Sequence, residues 1–394
     1  MLVLIAIIVF FSIPVYSQPL PVIAPEDAGF DPHRLQRVDK VIRSSIHNNE
    51  TPGAVLIVMR DTAIVYQKAY GVKQLVPETR EMKLSTIFDL ASLTKPIVTA
   101  TAIFMLVERG ELRLLDPVQH YIPDFQPWVD TETYNEGDIR IKHLLTHTSG
   151  LPSYPPVDKL VDEYGSPAPD AVADYLKKVD RSFKPGTSFR YSCPNFVILQ
   201  QIVEKVTGKT LAEFCRENIF EPLGMENTMY NPPKEMLDRI APTTYLNDEL
   251  LIGVVHDPFA RRLMGGISGN AGLFSNGDDL AIFSAMLLNN GLLRGNRILN
   301  PLSISTLTTL PLGYESFGRS PGWDIHSSFA SNQGDLFGEA TFGHTGYTGT
   351  SLVIDPDTRV AVILLTNRVH PDDSTSIVRL RSLVANVVAG AIVE

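Results

Sequence analysis

Phe88-Asp89-Leu90-Ala91-Ser92-Leu93-Thr94-Lys95-Pro96 stands where a strand-rich stretch gives way to a helix-rich one. Proline has no N–H and is accepted only in the first turn of a helix. Pro96 therefore sets a helix start close to Ser92. From Ile97 to Glu108 apolar residues recur at helical spacing, and Arg109-Gly110 ends the run. Ser92 then lies at the positive end of the helix dipole, which favours developing negative charge. Lys95, three residues on, shares its face one turn away. Its amine reaches the Ser92 hydroxyl and, if desolvated and neutral, accepts its proton. Ser-x-x-Lys is common by chance, and an N-capping serine beside a solvated lysine is the plain alternative.

Upstream, residues 18 to 35 read as an irregular arm leading into a helix from Pro32 to His47. A hairpin signal follows: Ala54 to Arg60 is apolar and branched, Asp61-Thr62 turns, and Ala63 to Tyr70 alternates. Near the other end, Ser351 to Ile354 and Arg359 to Thr366 form a strand pair around Asp355-Pro356-Asp357, and a helical segment from Ser376 to Ile392 closes the chain. Between them the pattern is mostly helical: Phe196 to Val206, Leu211 to Ile219 and Asp278 to Leu288. Strands at both ends with helices between predict one sheet built from both termini, not tandem domains. The expectation is an α/β (α+β) fold in a single domain, residues 18–394. Its α/β part spans about 25–90 and 300–394, with a helical part over about 91–299.

The 394 residues, 44% of them hydrophobic, suffice for a large core. A formal net charge of -10 argues against nucleic acid, because no basic patch would face the phosphates. Leu2 to Pro14 is apolar apart from Ser12, and Val15-Tyr16-Ser17 resembles a cleavage site. Residues 1–17 thus read as a secretory signal peptide and place the chain in the periplasm or outside the cell. The lack of Lys or Arg before the apolar run leaves an uncleaved anchor as the alternative, and only then is a membrane a partner. No Cys follows that run, so a lipid-modified cysteine is excluded there. Cys193 and Cys215 are the two cysteines; the reading is two free thiols, since sequence alone cannot pair them.

Two further stretches carry chemistry. Phe189-Arg190-Tyr191-Ser192-Cys193-Pro194-Asn195 opens a helix about a hundred residues after Ser92, and Phe342-Gly343-His344-Thr345-Gly346-Tyr347 precedes a strand near the C-terminus. With these motifs in this order the sequence resembles the serine β-lactamase and penicillin-binding superfamily, in its class C β-lactamase, DD-carboxypeptidase and esterase branch. Ile141 to Pro152, Pro222-Leu223-Gly224-Met225 and Asp278-Asp279-Leu280 support the likeness. Val255-His256-Asp257-Pro258 with Gly265 to Ser275 looks like the corresponding block of periplasmic penicillin-binding proteins of DD-carboxypeptidase type and of muropeptide amidases.

The resemblance implies a β-lactamase/transpeptidase-like fold: an antiparallel sheet flanked by helices, with an inserted helical subdomain. It implies Ser92 as nucleophile, Lys95 as base or proton carrier, and Tyr191 as proton shuttle to the leaving group. The backbone N–H groups of Ser92 and Tyr347 would form the oxyanion hole. His344, Thr345 and Gly346 would bind substrate, Gly346 by letting the strand approach it closely. No metal or organic cofactor is implied. Two departures stand out. β-Lactamases mostly have Lys where this chain has His344, and a neutral histidine is a weaker carboxylate trap. Many relatives have Asn or Asp at Cys193, where an amide would hold the lysine and the substrate; a thiol does this poorly. Asn195 cannot substitute, because positions two apart on a helix face different ways.

Other patterns are set aside. His143 and His147 share a helical spacing but lack a third zinc ligand, and His147 before Ser149-Gly150 reads as a helix C-terminus signal. Gly208-Lys209-Thr210 lacks the earlier glycine of a phosphate loop. Gly266-Ile267-Ser268-Gly269-Asn270 misses Gly-x-Ser-x-Gly at its last position, and these glycines read as a loop beside the active site. His256-Asp257 reads as a turn, with a place in the pocket as the alternative. The expected function is an exported serine hydrolase acting through an acyl-enzyme on a cell-wall amide, either a D-alanyl bond or a muropeptide amide. A carboxylesterase on small esters and a penicillin-binding sensor that acylates without turnover are the alternatives. The expected partner is a small-molecule or peptidoglycan-fragment substrate; oligomeric state is not readable.

Overall fold

Strand β1, Gly53–Arg60, is apolar at nearly every position, the pattern of a strand covered on both faces. In the computed structural model, which describes residues 19–393, it is the centre of the main sheet. The expected signal segment, residues 1–17, lies outside the described residues. The other strands of this sheet are β2 (Ala63–Gln74), β3 (Arg80–Glu81), β4 (Phe342–Thr345), β5 (Ser351–Asp355) and β6 (Val360–Thr366). Their order is β4-β5-β6-β1-β2-β3 and every pair is antiparallel. The chain's two ends meet at β1 and β6, in a register that runs from Ala54 opposite Thr366 to Arg60 opposite Val360. The expected antiparallel sheet built from both termini and flanked by helices is therefore present.

Alternation along β1 sends residues to two cores. Ala54, Leu56 and Val58 pack with Val38 and Ile42 of helix α1 (Val38–His47) and with Leu380 and Val384 of the C-terminal helix (Val378–Ala389). Val55, Ile57 and Met59 face the larger core, which holds Leu93, Ile97, Phe196 and Phe283. The helix expected from Pro32 to His47 is split into Pro32–Leu35 and α1. Gln36 and Arg37 stay helical but with ψ of -16° and -19° they tighten toward 3₁₀ geometry.

The helical run Ala91–Glu108 is long and apolar enough to cross a membrane, but 83% of it is buried within the protein, as a core helix. It opens with a 3₁₀ turn, Ala91–Leu93, continues as a π-helical stretch, Lys95–Ala100, and becomes α-helical from Thr101 to Glu108. The regular α-helix expected from Ile97 is thus delayed. Pro96 has no N–H to bond the carbonyl four residues back, so the α ladder cannot begin at Ser92. A small sheet of Phe88–Asp89, Leu273–Ser275 and Met229–Tyr230 fixes the chain just before this run. Helix α2, Cys193–Thr207, and helix α3, Gly277–Leu288, complete the larger core.

Candidate active site

Ser92 is presented by a strained turn. Ala91 has φ of +47°, a region costly for any residue with a Cβ. Asp89 holds it there: its carboxylate accepts the Ala91 N–H at 2.9 Å and the His256 N–H at 2.7 Å. Asp89 is 2% exposed, and burial pushes its carboxyl up to about 6 against the two N–H donors. Strain before a nucleophile is a common functional device, and nothing in the residue name Ala91 announces it.

Lys95 is fully buried behind Ser92. Its Nζ lies 3.0 Å from Ser92 Oγ, 2.9 Å from the Asn270 carbonyl and 3.7 Å from Cys193 Sγ, and 5.0 Å from the centre of the Tyr191 ring. The Asn270 carbonyl thus brings the glycine-rich loop against Lys95. Burial acts to lower the Lys95 pKa, but its interactions with Cys193 and Tyr191 outweigh it, and the net direction is up.

Tyr191 lies between two rings. His147 stacks on it with centroids 4.4 Å apart at 29°, and Phe329 with centroids 5.0 Å apart at 29°. Cys193, first residue of α2, points at Lys95, whereas Asn195 bonds Ser149 Oγ at 2.6 Å and lies 3.3 Å from His147 Nδ1. The thiol thus faces the lysine and the amide of Asn195 does not, as helical spacing requires. Cys193 and Cys215 are both buried and unbridged.

His344 is 4% exposed and both ring nitrogens are engaged. Nδ1 lies 3.0 Å from the Thr345 carbonyl and Nε2 lies 3.3 Å from an Arg319 amino group. Arg319 can only donate, so Nε2 accepts and Nδ1 carries the proton. Burial, and next the Arg319 charge, hold the imidazole pKa well below the ordinary histidine range. Arg319 is the cation that sequence reading missed. It is 1% exposed and paired with Asp324 at 2.8 Å. Asp324 in turn exchanges backbone hydrogen bonds of 2.9 Å each way with Gly343, extending the sheet beyond β4. No motif marked Arg319; its place depends on that added strand contact.

Gly346 does what a side chain would prevent. A Cβ there would lie 2.1 Å from Thr350 Oγ1 and 2.4 Å from the Leu90 carbonyl. This close approach is between the end of β4 and the turn carrying Ser92. Arg381 reinforces the junction by donating to the carbonyls of Gly346 at 2.7 Å and Thr350 at 2.9 Å. Tyr347 is 58% exposed; its ring stacks on His256, centroids 5.7 Å apart, and its hydroxyl donates to Asp373 at 2.5 Å. His256 therefore borders the site, and the adjacent Asp257 accepts from Tyr154 at 3.0 Å.

Ser92, Tyr191, His344, Thr345, Gly346 and Tyr347 line one cleft of about 400 Å³, with Arg319, Phe329, Arg368 and Arg381 on its walls. A cavity of similar size beside α3, about 420 Å³, holds none of these residues. Ser268 is fully buried with Oγ donating to Asn270 at 2.6 Å, which removes it as a nucleophile. His143 Nδ1 accepts the Arg140 N–H at 3.1 Å and His147 Nδ1 the Ser192 N–H at 3.0 Å, so each histidine has a structural hydrogen bond.

Comparison with known proteins adds to this geometry. Residues 38–386 match the family model described as Beta-lactamase. An N-acetylmuramyl-L-alanine amidase of Bacillus subtilis (strain 168) is 34% identical over 376 residues, covering 89% of this chain and 84% of the relative. A protein of Escherichia coli (strain K12) named "Putative D-alanyl-D-alanine carboxypeptidase" is 31% identical over 372 residues, covering 88% and 85%. Among solved structures, EstCE1, a hydrolase with promiscuous acyltransferase activity, superposes with a TM-score of 0.72 at 24% identity, covering 91% of this chain and 99% of that one. The octameric penicillin-binding protein homologue from Pyrococcus abyssi gives 0.66 at 24% identity, covering 89% and 76%.

Proposed function

The chain belongs to the beta-lactamase family and is a hydrolase of that family, and on that premise we propose that it works through an acyl-enzyme on Ser92, with a cell-wall amide as substrate. The observation that carries this is the 3.0 Å contact between Lys95 Nζ and Ser92 Oγ at the floor of the cleft. Ser92 attacks the carbonyl carbon and its proton passes to a proton pool that Lys95 and Tyr191 share in this proposal. Tyr191 delivers a proton to the leaving nitrogen as the C–N bond breaks, and water then releases the acyl group by the same path in reverse. The N–H groups of Ser92 and Tyr347 serve as the oxyanion hole.

Between a D-alanyl bond and a muropeptide amide, the cleft's charges favour the second. A D-alanyl terminus carries a carboxylate, yet His344 is neutral, Arg319 is paired with Asp324, and Arg368 is paired with Asp373 at 2.6 Å. Arg381 is committed to two carbonyls. The relative named as an amidase agrees with this choice. Such a substrate places the protein outside the cytoplasm, in line with the expected signal segment. Carboxylesterase activity is the second reading. Cys193 favours it, because an ester asks for less leaving-group protonation than an amide.

Purified muropeptides, a p-nitrophenyl ester and a fluorescent penicillin, each offered to the wild-type chain and to Ser92→Ala, separate these readings. Release of peptide from N-acetylmuramate, lost in Ser92→Ala, is the expected result. Ester turnover alone supports the esterase, and a stable penicillin adduct without turnover supports a sensor. Full turnover by Ser92→Ala would remove the mechanism altogether.

A further inference from the structure

The geometry points to His147 as the residue that positions Tyr191 for proton transfer, through one side chain that both stacks on its ring and holds its backbone. This inference rests on the Ser92, Lys95 and Tyr191 roles proposed above. Tyr191 lies outside any helix or strand, just before α2 begins at Cys193, so no backbone ladder fixes it. His147 contacts three consecutive residues there. Its carbonyl accepts the Arg190 N–H at 2.9 Å, its ring stacks on Tyr191 with centroids 4.4 Å apart, and its Nδ1 accepts the Ser192 N–H at 3.0 Å. Phe329 stacks on the same tyrosine ring at 5.0 Å, so Tyr191 has two aromatic neighbours limiting its swing.

The residue type fits the task. His147 has φ of +58°, a left-handed conformation that histidine tolerates better than most residues. A phenyl ring would stack as well but leave the Ser192 N–H unpaired in a buried place; histidine stacks and accepts at once. Because Nδ1 accepts, the ring proton sits on Nε2, and that atom is buried without a partner. Burial, and next the Arg319 and Lys95 charges, keep the imidazole neutral, so it adds no charge to the proton pool beside it. His147 does not touch the reacting atoms and is a positioning residue.

The consequence is selective. When Tyr191 gives its proton to the leaving oxygen or nitrogen as the scissile bond breaks, a displaced phenol slows departure of poor leaving groups most. A leaving group that departs as a stable anion needs little help. The probe is a series of substituted phenyl acetates, from p-nitrophenyl to p-methoxyphenyl, with kcat/KM plotted against leaving-group pKa for the wild-type chain, His147→Asn and Tyr191→Phe.

His147→Asn should lose on the order of 100-fold on the poorest leaving group and less than about 10-fold on p-nitrophenyl acetate, steepening the plot as Tyr191→Phe does. A wild-type slope in His147→Asn beside a steeper one in Tyr191→Phe overturns the inference and leaves the Tyr191 role standing. A wild-type slope in Tyr191→Phe overturns both; if the wild-type chain spares aryl esters, the same comparison is made on muropeptide release, where a loss in Tyr191→Phe without one in His147→Asn overturns the inference. Should His147→Asn fail to fold, Asn195→Ala decides the matter, since Asn195 lies 3.3 Å from the same Nδ1. A steeper slope supports the role, and an unchanged one removes it.

Discussion

Asp89 accepts the N–H of Ala91 at 2.9 Å while Ala91 stands at φ of +47°, so a buried carboxylate holds the backbone that aims Ser92. Two donors for one ionised group, Ala91 and His256, make the ionised form the structurally competent one. Activity should therefore rise as pH passes through about 6, the value to which burial lifts Asp89. Stability runs the other way. A carboxyl raised from 3.8 to about 6 contributes stability that is full below 3.8 and lost as pH rises through 6. The span of about 2 units amounts to roughly 3 kcal/mol. Melting the wild-type chain and Asp89→Asn from pH 3.5 to 7.5 should show their difference changing over that window. A difference flat in pH would mean that Asp89 keeps its unfolded-state pKa.

Gly346→Ala should lower both stability and kcat/KM. Its Cβ would fall 2.4 Å from the Leu90 carbonyl, two residues before Ser92, and 2.1 Å from Thr350 Oγ1. Overpacking of this kind costs about 1–3 kcal/mol or more. Adding Thr350→Ala removes only the side-chain clash, so denaturant unfolding should show no full rescue. Full rescue would place the whole strain on Thr350 and not on the backbone junction.

Arg319 and Asp324 are a buried pair, 1% and 2% exposed at their side chains. Arg319→Met alone should destabilise the chain by about 3–5 kcal/mol because it strands the Asp324 charge. Arg319→Met with Asp324→Leu should recover much of that loss. The His344 pKa, followed by NMR, should rise in Arg319→Met, since the guanidinium is among the causes of its depression. Equal destabilisation in the single and double variants would contradict this account.

Cys193 stands 3.7 Å from Lys95 Nζ, and a thiol is a weak partner for an ammonium group. Cys193→Asn puts an amide oxygen within reach of Lys95 and should speed labelling of Ser92 by a fluorescent penicillin about tenfold, the worth of one charged hydrogen bond. Slower labelling than wild type would show that the thiol is matched to this site and is no deficit.

Much of this molecule was legible in its order of residues. The apolar run at Ala54 to Arg60 and the pair at Ser351 to Ile354 and Arg359 to Thr366 are strands because branched residues and turn signals act locally. Ser92 and Lys95 meet because three residues along a helical turn bring side chains to one face. The opposite facing of Cys193 and Asn195 followed from the same spacing. His147 stands just past the helix Ile141–Leu145, at φ of +58°, as its sequence context suggested, but its stacking on Tyr191 was not legible because it joins segments distant in the chain.

Local spacing alone thus determined the strands, the helix starts and the Ser92–Lys95 contact, because bond geometry repeats every two or 3.6 residues. The tertiary structure alone decided that Arg319 backs His344, that the Asn270 carbonyl, 175 residues away, holds Lys95, and that Asp89 grips the His256 loop. Those contacts join segments distant in the chain, and only the packing of the sheet against the helical part brings them within hydrogen-bond range. The same packing excludes water there, which is what turns Asp89 and His344 away from their ordinary protonation.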